Sequence, residues 1–217
     1  MRSTIIRTTL FLLIFSFQIY PLVAETLGST PGNGTAIAGP IKEIATGGRL
    51  ISTTWAPLDE SYWFASRDKY LYRYHPGEDP RRARLEDRPL SNIVEGPDGK
   101  LYLFLENRAL QAVSPGGIAA WSYNLESSPI GEPVIGPEGT IFITSQGRRL
   151  IALSPAGTLR WELSLPAEAV TNPLLFMSKQ GLALAVPCES GRSYAYLLDG
   201  SRLWQFLSAD TAVAPLA

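Results

Sequence analysis

The chain has 217 residues, 45% hydrophobic and 18% charged, which is a globular rather than a disordered composition. A formal net charge of −1, with no basic face in prospect, argues against nucleic acid as a partner. One cysteine, Cys188, and one histidine, His75, exclude an intrachain disulfide, an all-cysteine metal site and a histidine cage.

The first 24 residues read as a signal peptide. Arg2 and Arg7 precede the apolar run Leu10–Tyr20, and Pro21-Leu-Val-Ala24 offers a small residue before Glu25, so cleavage is expected after Ala24. An uncleaved anchor is the alternative, although the run falls short of the roughly 20 residues that a span prefers. Once the leader is removed no stable membrane span is expected, and the product should be periplasmic or secreted. Residues 25–40 are rich in Gly, Ser, Thr and Pro and read as a flexible linker.

From about residue 41 onward the chain repeats itself. Gly96–Trp121 lies over Gly136–Trp161 without a gap, and Gly96/Gly136, Pro97/Pro137, Gly99/Gly139, Leu110/Leu150, Ala112/Ala152, Ser114/Ser154, Pro115/Pro155, Gly117/Gly157 and Trp121/Trp161 all differ by 40. Downstream the register loosens, with Trp161 meeting Trp204 at 43. Upstream, Pro57 and Tyr62 precede Pro97 and Tyr102 by 40, while Leu71, Pro76 and Gly77 precede their counterparts by 39. That first copy carries Arg82 where a tryptophan would fall. The units are expected at about 50–90, 91–130, 131–170 and 171–211, with a fifth beginning at 212–217.

Within the third unit, turn residues cut out the apolar runs Pro133–Ile135, Thr140–Ser145, Leu150–Leu153 and Leu159–Leu163. Four short strands at about ten-residue spacing predict an up-and-down antiparallel sheet, one blade of a propeller. The middle runs are almost continuously apolar, as suits a sheet packed on both faces. Ala112, Ala152 and Ala195 put a small residue where a neighbouring sheet would approach. The fold class is therefore all-β: a propeller of four-stranded antiparallel blades, about four of them, incomplete or open. A longer propeller of which this is the N-terminal part, or a second chain completing the ring, would supply what is missing.

Ser128–Pro166 resembles the pyrroloquinoline-quinone (PQQ)-like β-propeller repeat, a family that includes quinoprotein alcohol dehydrogenases and the propeller lipoprotein of bacterial outer-membrane assembly. Ala152-Leu-Ser-Pro-Ala-Gly157 followed by Trp161 is similar to the family's tryptophan-docking motif, as are Ala112…Trp121 and Ala195…Trp204. The motif's usual aspartate is replaced by Ser114, Ser154 and Leu197. The resemblance implies that Trp121, Trp161 and Trp204, with Gly117, Gly157 and Gly200, dock one blade on the next, which is architecture rather than chemistry.

Nothing else in the sequence marks a reaction. A nucleophile triad, a phosphate loop and clustered metal ligands are all missing, so no catalytic, cofactor-binding or metal residue is nominated and no cofactor is expected. His75 is expected in an exposed turn and Cys188 as a partly buried free thiol. The balanced charge run Glu78–Arg88 is expected on the outer strand of the first blade, discouraging edge-to-edge association. These features predict a non-enzymatic, protein-binding scaffold of the bacterial cell envelope. The alternatives are a PQQ-dependent dehydrogenase fragment and an inactive truncated product.

Overall fold

Glycine- and proline-bearing turns interrupt the apolar sequence so often that no helix propagates among the described residues, whose regular structure is β throughout. The computed structural model describes residues 44–189 and 191–207. The expected signal peptide, the expected linker and the expected start of a fifth unit lie outside the described residues.

Among the described residues, sixteen strands form four sheets, each a four-stranded antiparallel meander in sequence order. The first blade holds β1 (Leu50–Ala56), β2 (Ser61–Ser66), β3 (Tyr70–Tyr74) and β4 (Arg81–Arg84). The second holds β5 (Val94–Glu95), β6 (Leu101–Phe104), β7 (Ala109–Val113) and β8 (Ala119–Asn124). The third holds β9 (Pro129–Ile135), β10 (Ile141–Ser145), β11 (Arg149–Leu153) and β12 (Leu159–Ser164). The fourth holds β13 (Leu174–Ser178), β14 (Gly181–Cys188), β15 (Arg192–Leu197) and β16 (Arg202–Leu207).

Successive side chains of a strand point to opposite faces, so each blade offers one set to the blade before and another to the blade after. In the second blade Leu101, Leu103 and Val113 pack with Trp63, Ala65 and Leu71 of the first. The intervening Tyr102, Phe104, Leu110 and Ala112 pack with Ile141, Ile143, Ile151 and Leu153 of the third. The third in turn sends Phe142, Leu150 and Ala152 against Leu184, Val186, Tyr194 and Tyr196 of the fourth. This explains why the central runs are apolar without alternation: both faces are core. Among the described residues, no buried cluster joins the first blade to the fourth. The sheets form an incomplete propeller.

Two details of the first repeat differ from the sequence register. Strand pairing aligns Trp63, Arg73 and Arg81 in one row across β2, β3 and β4, as Tyr102, Ala112 and Trp121 align across β6, β7 and β8. Trp63, not Tyr62, is thus the counterpart of Tyr102, and Arg81, not Arg82, stands at the tryptophan position. A one-residue slip exchanges the faces of a strand. Trp63 is accordingly 1% exposed and Tyr62 44% exposed. Adjacent residues of like kind, Tyr62 with Trp63 and Arg81 with Arg82, made the slip invisible.

Candidate functional site

The residues singled out by the repeat converge at the joints between blades. In the second blade the indole of Trp121 lies 5.8 Å from the ring of Tyr102, with Ala112 between them in the row. A larger residue than alanine at that point would push the two rings apart. The third blade repeats the arrangement with Phe142, Ala152 and Trp161, the rings 6.0 Å apart.

Each of these tryptophans reaches the outer turn of the following blade. Trp121 Nε1 donates to the Pro155 carbonyl at 3.0 Å, and Trp161 Nε1 donates to the Leu198 carbonyl at 2.9 Å. Both acceptors lie two residues before a glycine, Gly157 or Gly200, held at φ +79° or +88°. A Cβ on Gly157 would stand 2.6 Å from Cδ2 of Trp121, and one on Gly200 would stand 3.3 Å from Cδ2 of Trp161. Glycine therefore answers two demands at once, a left-handed backbone and the close approach of an indole.

Gly117 meets a tryptophan by another route. With arginine at the outer-strand position, the ring comes from Trp63 on β2, whose Cη2 lies 3.6 Å from where a Gly117 Cβ would be. Arg73 fills the alanine position and lies 6.0 Å from the Trp63 ring centroid. Sequence comparison missed Trp63 because it sits on a different strand from the other three. Its only signal was a tryptophan in a run otherwise resembling Leu101–Phe104.

Trp204 on β16 follows the pattern on its own blade, where Ala195 neighbours it and Phe176 lies 5.9 Å away. Phe176 comes from β13 because Ala185 occupies the place that Phe142 holds in the third blade. Among the described residues no glycine turn receives Trp204. Its side of the blade also carries Leu174, Phe176 and Phe206, so an apolar face is left exposed.

The remaining nominated residues are scattered. His75 lies in the β3–β4 turn, its Nδ1 2.9 Å from the Pro76 carbonyl and 3.8 Å from Glu78. Cys188 is fully buried rather than partly buried, beneath Tyr194 and Tyr196, because β14 continues as a core strand through Pro187. Burial first, and then the charges of Glu168 and Glu189, push its thiol up to about 11. Within Glu78–Arg88, Arg81 pairs with Glu78 and Asp87 with Lys69, while Arg82 lies over the ring of Tyr70. Among the described residues, no three His, Cys, Asp or Glu side chains are grouped as metal ligands would be.

One buried polar feature escaped the sequence. Glu95, at the end of β5, and Asp59, in the β1–β2 turn, each bury a carboxylate oxygen that has no hydrogen-bond partner. Burial first, and then the neighbouring Asp59 charge, raise the pKa of Glu95 above its ordinary value. Asp59 pairs through its other oxygen with Arg73 at 3.1 Å.

Comparison with known proteins agrees with this geometry. A family model described as outer membrane protein assembly factor BamB matches residues 106–217. Among solved structures, BamB from Moraxella catarrhalis is 18% identical with a TM-score of 0.55, over 73% of this chain and 51% of that one. Virginiamycin B lyase from Staphylococcus aureus is 16% identical with a TM-score of 0.59, over 77% of this chain and 58% of that one. BBS1N in complex with ARL6DN is 15% identical with a TM-score of 0.59, over 75% and 55%. The chain spans between half and three fifths of the length of each of these proteins. No curated protein matches it in sequence. At such identities the structural likeness concerns the fold alone.

Proposed function

The chain belongs to the PQQ-like β-propeller repeat family, whose matching model is the outer membrane protein assembly factor BamB, and from that premise we propose that it is a non-enzymatic, protein-binding propeller module of the bacterial cell envelope. The match over residues 106–217 carries this reading. It is supported by how the aromatic residues are used: Trp63, Trp121 and Trp161 are each engaged in a different blade joint. It is also supported by apolar side chains left at the surface, among them Trp55, Leu58 and Tyr62 on the first blade. Exposed clusters of that kind commonly mark protein-interaction sites. The basic-then-apolar N-terminus supports export, with the mature chain starting at Glu25.

The test has two parts. N-terminal sequencing of the protein from the envelope fraction of its native cell should begin at or near Glu25, whereas recovery of Met1 from soluble cytoplasm would remove the basis for export. Reconstitution with PQQ and calcium should give no dye-linked oxidation of alcohols or aldoses. Turnover that scales with added PQQ would replace the scaffold by an enzyme.

A further inference from the structure

The outer strand of the first blade is built unlike its counterparts. β4 consists of Arg81, Arg82, Ala83 and Arg84, the alanine buried and all three arginines exposed. By contrast β8 carries no charged residue, and in β12 the carboxylate of Glu162 is taken by Arg149. The run Glu78–Arg88 is balanced in sequence, but the balance is lost on the strand itself. Glu78 turns back to Arg73 and Arg81, and Asp87 pairs with Lys69. Among the described residues no carboxylate pairs with Arg82 or Arg84.

These two arginines are placed alike. They stand two positions apart, opposite Tyr72 and Tyr70 of β3, and so project from one face of the sheet, about 7 Å from each other along the strand. The guanidinium of Arg82 lies over the ring of Tyr70, 4.4 Å from its centroid. A guanidinium held by its flat face keeps its N–H donors, which lie in its plane, free for a carboxylate. A cleft of about 260 Å³ opens beside it, with Tyr72, Pro80, Arg81 and Arg82 in its lining. β4 is also the last strand of its sheet, so one row of its backbone N–H and C=O groups is unpaired among the described residues. An outer strand faces away from the axis of a propeller, so this edge is open whatever the number of blades.

Charge on an edge repels a strand of like sign and admits one of opposite sign. We propose that β4 accepts, as an added strand, an extended segment of a partner protein that bears two acidic residues two positions apart, their carboxylates meeting Arg82 and Arg84. The backbone ladder supplies affinity, and the paired charges supply selection. A second copy is not the occupant, since none of the 20 acidic residues in the sequence stands two positions from another. The inference rests on the protein-binding reading, to which it gives a partner chemistry, and needs nothing from the envelope location.

The experiment titrates the full chain with two synthetic peptides of valine, threonine and glutamate, identical in composition. One has its two glutamates two positions apart and the other has them adjacent. Amide hydrogen exchange locates the contact. The alternating peptide should bind and slow exchange of the edge amides of β4. It should bind an Arg82→Gln, Arg84→Gln variant about tenfold more weakly. The adjacent peptide should bind the parent chain no better than that. An Arg82→Glu, Arg84→Glu variant should instead take an alternating peptide with lysines in place of glutamates, which separates lost recognition from lost folding. Equal binding of the two glutamate peptides, failure of the lysine peptide to bind the reversed variant, or protection on another strand overturns the proposal. Absence of binding overturns it as well. So do edge amides of β4 already protected in the free chain, which would mean that the chain covers this edge itself. The protein-binding reading fails on a different result, turnover that scales with added PQQ.

Discussion

Gly157 and Trp121 approach so closely that a side chain cannot stand between them: a Cβ on the glycine would lie 2.6 Å from Cδ2 and 2.7 Å from Cε3 of the indole. Gly147, in the β10–β11 turn, has nearly the same backbone, φ +80° against +79°, but nothing within 4 Å of its would-be Cβ. The two glycines separate conformational strain from packing.

Gly147→Ala should therefore cost about 1 kcal/mol, the strain of an alanine in the left-handed region. Gly157→Ala should carry that same strain and, in addition, an overpacking cost of about 1–3 kcal/mol as the indole is displaced. Urea denaturation of both variants measures the difference. Equal costs would mean that the Trp121 ring moves aside freely and that the joint is not closely fitted.

A second contrast sets Trp161 against Trp204. Trp161→Ala should lose about 3–5 kcal/mol, as other large aromatics removed from a core do. It also strands the Leu198 carbonyl that accepts its indole N–H. Trp204→Ala should cost much less, because the ring is partly exposed and its N–H has no acceptor among the described residues. Thermal melts of the two variants rank them. If Trp161→Ala spared stability, the tryptophans would be candidates for ligand contacts rather than packing.

The parts of this fold legible in the sequence are those that repeat. The four runs read in the third unit fall on β9 to β12, with β9 starting earlier, at Pro129. Gly131, at φ +71° and with Asn172 packed against its open side, lets that strand begin before the run becomes apolar. Turn chemistry and period are local properties, so a single sequence displays them. What stayed hidden depends on which face a residue takes. The substitution of Trp63 for an outer-strand tryptophan needs three strands aligned before it can be seen. The unpaired oxygens of Asp59 and Glu95 belong to different blades and meet only after packing. Cys188, expected to be partly buried, is fully buried because the strand runs through Pro187 and Cys188.

Cys188 should be chemically silent in the folded protein. It is 0% exposed, its Sγ lies 3.6 Å from the Val186 carbonyl, and burial pushes its thiol up to about 11. The thiolate is the reactive species, so at pH 8 almost none is present even when a reagent gains access. Labelling by a disulfide-exchange reagent should be slow in buffer and rapid in denaturant. Its rate in buffer then reports opening of the fourth blade. The sign for stability follows from the raised value: the unfolded thiol ionises first, so stability should fall as pH rises from about 9 toward 11. Cys188→Ala should lessen that dependence, the remainder coming from Tyr102, Tyr123 and Tyr196, whose hydroxyl pKa values burial also raises. Fast labelling of the native protein would place the thiol at the surface instead.

Glu95 supplies the last prediction, on the acid side. One of its carboxylate oxygens is buried without a partner, near an Asp59 that is similarly placed, and burial and then Asp59 raise its pKa. A carboxyl whose folded value exceeds its unfolded value holds its proton longer in the native state. Between the two values the native protein binds more protons, so this group makes stability decrease as pH rises through that window. Below the window the group is protonated in both states and imposes no charge penalty; above it the penalty is full and constant. Glu95→Gln keeps the shape and removes the charge, so it should stabilise the protein at pH 7 and leave it little changed near pH 4. Urea midpoints of both proteins, measured from pH 4 to pH 8, should diverge as pH increases. A Glu95→Gln variant that is less stable at pH 7 would show that the carboxylate is held by a favourable charge, such as a bound cation, rather than buried at a cost.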